Sequence, residues 1–268
     1  MQPPVFRAEA RLVEIHATVS DGRGRYISGL KREDFVIRDS GQERMAEIFE
    51  STESPFSLGL LLDITGSMME ALPVVKRACL EMLDLLRPED RVAVYAFNER
   101  FECVQDFTTD RRAAAAAIRK LQAAGRTALF DSLTRASMHL AQQKGKRSLV
   151  ALTDGNDNAS ALTLESALRR ARREAIPVYP VAQGDALRSS KLMDTLERIA
   201  NATGGSSFRL EKPSKTDEIF ARIGKDLLSS YLLAYRPHPG NGEWRPLQVS
   251  VRGKKDVRVR CREGYFAD

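Results

Sequence analysis

Residues 57–63 read Ser-Leu-Gly-Leu-Leu-Leu-Asp, an almost unbroken apolar run that stops at a carboxylate. A strand with one wet face alternates polar and apolar residues. A run without alternation has both faces covered, as in the middle of a parallel sheet. Residues 148–153 (Ser-Leu-Val-Ala-Leu-Thr) repeat the pattern and lead into Asp154-Gly155. Helical spacing fills the intervals. Leu72, Val75, Cys79, Met82, Leu83 and Leu86 fall three or four apart, with Pro73 early and Pro88 ending the run. Further helices are expected over residues 110–123, 128–142, 163–174 with Thr163 as N-cap, 191–202 closed by Gly204-Gly205, and 215–230 opened by Ser214-x-x-Asp217. Strands are expected at 178–182 and 207–210. Residues 91–97 and 101–107 are both strand-like and only Asn98-Glu99-Arg100 separates them. That is too short for a crossover, so they form an antiparallel hairpin. The expected class is therefore α/β: a doubly wound, mostly parallel, Rossmann-like sheet with one antiparallel edge strand.

The ends differ from the middle. Residues 8–19 and 34–38 near the start, and 231–235, 247–251 and 257–261 near the end, are strand-like. Turn chemistry separates them at Asp21-Gly22-Arg23-Gly24, at Asp39-Ser40-Gly41, and over 237–242 and 253–255. Neither flank makes a stable sheet alone. Three parts are expected: an N-terminal β segment (1–53), a β/α domain (54–230) and a C-terminal β segment (231–268). The two flanks are expected to pack together as a small β-sandwich.

Composition narrows the function classes. With 43% hydrophobic and 29% charged residues among 268, the chain is globular and long enough to bury most of its surface without staples. Cys79, Cys103 and Cys261 form no Cys-x-x-Cys pair, which argues against a disulfide framework or structural zinc knuckle. No run of about 18 apolar residues spans a membrane. Met1-Gln2-Pro3-Pro4 does not open a leader peptide, so none is expected in this chain. A net charge of +6 is too slight to imply nucleic acid by itself.

In doubly wound sheets, ligands sit beyond the carboxyl ends of the strands. There the first apolar strand ends in Asp63-Ile64-Thr65-Gly66-Ser67 and the second in Thr153-Asp154-Gly155. Between them, joining two helices, lies Gly125-Arg126-Thr127. Two carboxylates and three hydroxyls from three loops suit a small hard cation such as Mg²⁺. The plainer reading is that the carboxylates cap helices and the hydroxyls satisfy loops.

These three elements, in this order, resemble the von Willebrand factor type A domain and its metal-ion-dependent adhesion site. The likeness covers about residues 56–230 and includes Ala128-Leu129-Phe130-Asp131 and Thr203-Gly204-Gly205. It implies metal ligation by Asp63, Thr65, Ser67, Thr127 and Asp154, holding Mg²⁺ (or Mn²⁺/Ca²⁺). It further implies a binding module rather than an enzyme, whose metal accepts an Asp or Glu carboxylate from a partner protein. Thr65 stands where the family usually has serine, and Arg126 where glycine is common. Arg126 and Asp157 are expected just outside the ligand set. The flanks, with Glu33-Asp34-Phe35-Val36-Ile37, Tyr231-Leu232-Leu233-Ala234-Tyr235 and Gly264-Tyr265-Phe266, resemble bacterial chains related to that family. That favours an extracytoplasmic setting, periplasmic or secreted.

Two other classes compete. A metal-assisted hydrolase needs a general base, for which Asp157 and Glu70 are the nearby candidates. An RNA-associated module would use Arg169, Arg170, Arg172 and Arg173, whose plainer reading is a solvated helix face. No aromatics interleave with these arginines in sequence, and stacking readout needs such a platform. His16, His139 and His238 are scattered and read as ordinary satisfied histidines, and Cys103 as a small apolar residue on the edge hairpin. Gly224 weakens the last helix by about 1 kcal/mol of propensity, unless it is there for close packing.

Overall fold

The computed structural model describes residues 12–211, 215–254 and 256–267. The strands are β1 (Val13–Asp21), β2 (Phe35–Asp39), β3 (Gln42–Arg44), β4 (Ile48–Glu50), β5 (Phe56–Asp63), β6 (Arg91–Phe97), β7 (Phe101–Thr108), β8 (Lys146–Thr153), β9 (Val178–Ala182), β10 (Phe208–Arg209), β11 (Ser230–Tyr235), β12 (Trp244–Val251), β13 (Val257–Arg260) and β14 (Gly264–Phe266). The helices are α1 (Leu72–Asp84), α2 (Arg111–Lys120), α3 (Leu129–Leu140), α4 (Leu164–Glu174), α5 (Ser190–Thr203) and α6 (Thr216–Leu228).

The central sheet has the order β10-β9-β8-β5-β6-β7. Its neighbours are parallel except the β6–β7 hairpin. All eight residues of β5 and of β8 are buried, which is why neither alternates. Leu58, Leu60 and Leu62 face α1, α2 and α6, while Leu61 faces the opposite layer of α3, α4 and α5. The chain runs outward from β5 through β6 to the edge strand β7, then returns to place β8 on the other side of β5. Strand order thus reverses between β5 and β8, and the crevice at their carboxyl ends is where such sheets bind ligands.

The flanks form two four-stranded antiparallel sheets, β13-β1-β11-β4 and β14-β12-β2-β3. Each combines strands from both ends of the chain, around a shared core that includes Ile15, Val19, Ile37, Leu233, Leu247 and Val251. Tyr231 anchors this core: its hydroxyl donates to the Ile27 carbonyl (2.8 Å) and accepts from the Leu30 N–H (3.2 Å). The sandwich sits at the amino ends of the central strands. Glu50 accepts the Lys146 N–H, buried Lys146 donates through Nζ to the Thr52 carbonyl, and Arg147 pairs with Glu14. The carboxyl ends are left clear.

The basic run on α4 is used here. The Arg172 guanidinium lies 5.0 Å from the Trp244 ring centroid and that of Arg169 4.9 Å from Phe266. Arg262 of the flank also donates to the Arg172 carbonyl. Cation–π contacts thus dock the sandwich on the β/α layer. Arg169, Arg170 and Arg173 are nonetheless exposed, as expected of a solvated face, and Arg172 is half-buried; the aromatic partners of Arg169 and Arg172 lie about 70 residues or more away in sequence. Among the described residues no helix is long and apolar enough to cross a membrane.

Local differences from the sequence reading have local causes. α2 starts as expected, with the Asp110 carboxylate accepting from Arg112 and Ala113, but ends at Lys120 because Leu121 turns to an extended conformation and buries its side chain. The strand expected at 207–210 shrinks to two residues. β3, β4 and β14 are three residues each, too short to show a period. The Ser214 cap and the start of the strand at 8–11 lie outside the described residues. At Gly224, where α6 approaches the end of α1, a Cβ would stand 2.7 Å from Cδ1 of the exposed Leu85 side chain.

Replacing Tyr231 with Phe should lower stability by about 1–3 kcal/mol, since the Ile27 carbonyl and Leu30 N–H would lose their partner. Urea unfolding of the full chain measures this.

Candidate functional site

β5 delivers Asp63, fully buried, to the switch point. Its Oδ1 accepts from the Thr65 N–H (3.0 Å) and its Oδ2 from the Thr153 hydroxyl (2.7 Å). The Thr65 and Ser67 hydroxyls lie 3.0 Å apart and share a hydrogen bond. Thr65 is buried, whereas Ser67 is exposed. One strand over, Thr153 also accepts from the Gly155 N–H, and Asp154 Oδ1 accepts from Asn156.

The third loop is tied to both. Gly66 N–H donates to the Gly125 carbonyl (3.1 Å) and Ala124 N–H to the Ile64 carbonyl (2.7 Å). Gly125 has φ +86°, and a Cβ there would collide with the Glu99 carboxylate, which accepts the Arg126 N–H. Thr127, buried, donates its N–H to Asn158 Oδ1 (3.1 Å), and its carbonyl accepts from Asn158 and Ala159. Asn158 thereby fastens the Thr127 loop to the loop that follows Asp154. Asp63, Thr65, Ser67, Thr127 and Asp154 share one neighbourhood.

The residues expected beside them behave differently. Both Asp157 oxygens are engaged: Oδ2 by the Phe130 N–H and the Ser160 hydroxyl, Oδ1 by the Ser160 N–H. Asp157 thus caps the start of α3. Arg126 is exposed and its guanidinium donates to the Asn158 carbonyl. Glu70 is exposed and lines a groove of about 660 Å³ with Ser67, Val74, Gln183, Arg188 and Leu210.

Burial pushes the Asp63 carboxyl up to about 6; its hydrogen bonds from Thr153 and Thr65 oppose the rise, and nearby Asp154 adds to it. Asp154 Oδ2 is buried with no hydrogen-bond partner among the described residues. An unpaired carboxylate oxygen beside a second buried carboxylate is an expensive arrangement unless a cation is shared between them. All donors are oxygens, so the residues fit a hard divalent ion. Sequence reasoning missed the support: Thr153 was within the Thr-Asp-Gly motif, but Glu99 and Asn158 act through contacts about 30 residues away and carry no local signal.

Residues 58–156 match the family model of the von Willebrand factor type A domain. Over those residues this chain is similar to the von Willebrand factor type A domain. A von Willebrand factor type A structure from Catenulispora acidiphila superposes on 95% of this chain and 73% of its own, at 15% identity and a TM-score of 0.59. The von Willebrand domain of the type V pili tip protein Mfa5 from Porphyromonas gingivalis covers 64% of this chain and 94% of its own, at 12% identity and a TM-score of 0.51. These likenesses establish the fold. An uncharacterised protein of Synechocystis is 33% identical over 178 residues, 63% of this chain. The chain spans only 41% of that relative's length.

Asn at position 63 keeps the shape of Asp63 and removes its charge. Asp63→Asn should stabilise the metal-free protein at pH 7.5 by about 1–3 kcal/mol, because a buried carboxylate no longer faces Asp154. Thermal unfolding in EDTA checks the sign.

Proposed function

We propose that this chain is a metal-dependent protein-binding module serving adhesion or complex assembly. Asp63, Thr65, Ser67, Thr127 and Asp154 would hold Mg²⁺ (or Mn²⁺/Ca²⁺). The ion, when bound, supplies an open coordination position for an Asp or Glu carboxylate of a partner protein. The observation that carries this reading is the buried, unpaired Oδ2 of Asp154 beside buried Asp63. Few of the donors are anionic, so a bound cation keeps residual positive charge toward a ligand.

The chain's own groups support an acidic ligand. Gln183 lines the groove next to Ser67, and its Nε2 is buried without a hydrogen-bond partner among the described residues. It is a donor ready for a polar group seated there. Arg188 lines the same groove and adds positive charge. Val74 and Leu210 supply apolar wall. The Porphyromonas neighbour is a pilus tip protein, which supports an adhesive role and an extracytoplasmic setting for this chain too.

This reading takes the module as non-enzymatic; of the two candidate bases, Asp157 is held by the α3 cap, while Glu70 stands exposed in the groove beside Ser67. It also assigns no nucleic-acid role to α4, whose Arg169 and Arg172 lie on aromatic rings of the sandwich. Residues 54–230 would act as the binding domain, carried by the segments 1–53 and 231–268.

Calorimetry should show one Mg²⁺ or Mn²⁺ bound per chain, lost in Asp154→Ala and in Asp63→Asn. Retention of a partner on immobilised chain should need Mg²⁺ and reverse with EDTA. Full metal affinity in both folded variants would overturn the site, and EDTA-resistant partner binding would overturn the mechanism.

A further inference from the structure

The edge strand β7 is irregular. Tyr95 pairs with Cys103, Val94 with Gln105 and Val92 with Thr108, so β7 carries two extra residues relative to β6. An inserted residue reverses which face the following side chains occupy. Three apart on a regular strand, Cys103 and Asp106 would point to opposite faces. The first bulge puts them on the same one. That face is shared with Tyr95, whose buried ring packs in the layer of α3.

His139, in the last turn of α3, reaches the same spot. One donor atom each of Cys103, Asp106 and His139 lies within 4.8 Å of the other two. His139 Nε2 is 3.6 Å from Asp106 Oδ1. Two ligands of a tetrahedral ion with bonds of about 2.1 Å stand about 3.4 Å apart, so this pair already has the required separation. The other ring nitrogen, Nδ1, is 3.0 Å from the Tyr95 hydroxyl. With Nδ1–H donating to that hydroxyl, Nε2 presents its lone pair toward Asp106 and Cys103, as metal-bound histidines do. The Phe107 ring stacks on the imidazole at a centroid distance of 5.4 Å and fixes its plane. An ion pair between His139 and Asp106 would account for two of these groups. It gives no reason for the thiol beside them.

We propose that Cys103, Asp106 and His139 form a second metal site, distinct from the oxygen-lined one, that takes a first-row divalent ion of the zinc type with solvent in the remaining position. A thiolate and an imidazole favour Zn²⁺ or Co²⁺ over Mg²⁺, so donor softness separates the two sites chemically. On binding, the Cys103 S–H bond breaks, the sulfur–metal bond forms, and the proton leaves to solvent. Cys103 is exposed, yet partial desolvation and Asp106 beside it raise its thiol above the ordinary value. Helix α3 joins the two sites: it begins two residues after Thr127 and carries His139 one residue before its end. An ion at its far end ties it to the sheet edge.

The test titrates Co²⁺ into the reduced full chain in excess Mg²⁺. The expected result is one equivalent bound with a thiolate-to-cobalt charge-transfer band in the near ultraviolet. Cys103→Ser should abolish the band. His139→Gln and the exposed Asp106→Asn should each weaken Co²⁺ by at least about 10-fold, while Asp63→Asn leaves the band intact. Circular dichroism confirms that each variant is folded. No band in the unmodified chain, a band that persists in Cys103→Ser, or unchanged affinity in both His139→Gln and Asp106→Asn would overturn the site.

Discussion

Two carboxylates withdrawn from water at the carboxyl ends of β5 and β8 set the terms for everything around them. Burying one such group demands hydrogen bonds; burying two together demands positive charge as well. The Thr65 N–H and Thr153 hydroxyl meet the first demand for Asp63. Asp154 has one oxygen served and one not. The surrounding loops serve this arrangement. Gly125 passes close over Glu99, Asn158 clamps Thr127, and Asp157 steadies the start of α3, so that the hydroxyls stay beside the two acids. The fold supplies rigid strand ends; the loops supply the positioning.

Much of this was legible because it is local. A fully buried strand cannot alternate, so β5 and β8 announced themselves, and Asp63 at the end of one and Asp154 just past the other were the candidates they pointed to. The short hairpin loop before Phe101 forced an antiparallel edge. The Gly125-Arg126-Thr127 loop came from order and resemblance, not from any spacing rule. What stayed hidden depends on distant partners. Nothing near Arg169 or Arg172 in sequence points to Phe266 and Trp244, so these ring contacts stayed hidden behind a face that is in fact largely exposed. Cys103 and His139 each looked ordinary. Only the bulge in β7, an irregularity of pairing rather than of composition, adds Asp106 to the face where Cys103 meets His139.

The division of labour between the two ends of the central sheet is equally physical. At the amino ends, Glu14 and Glu50 engage Arg147 and Lys146, and α4 offers arginines to aromatic rings of the flank. These contacts keep the sandwich away from the groove lined by Ser67 and Gln183. That groove is lined by residues between 67 and 211, all from the β/α part of the chain.

β4 and β11 are hydrogen-bonded neighbours, yet about 180 residues of chain separate them. Closing a loop of that length in a disordered chain costs about 4–5 kcal/mol of entropy before any contact returns it. When the intervening domain is already folded, its two ends leave about one strand spacing apart, near 4.8 Å, and the closure is complete. The topology therefore makes the β4–β11 pairing least costly once the chain between those two strands has folded.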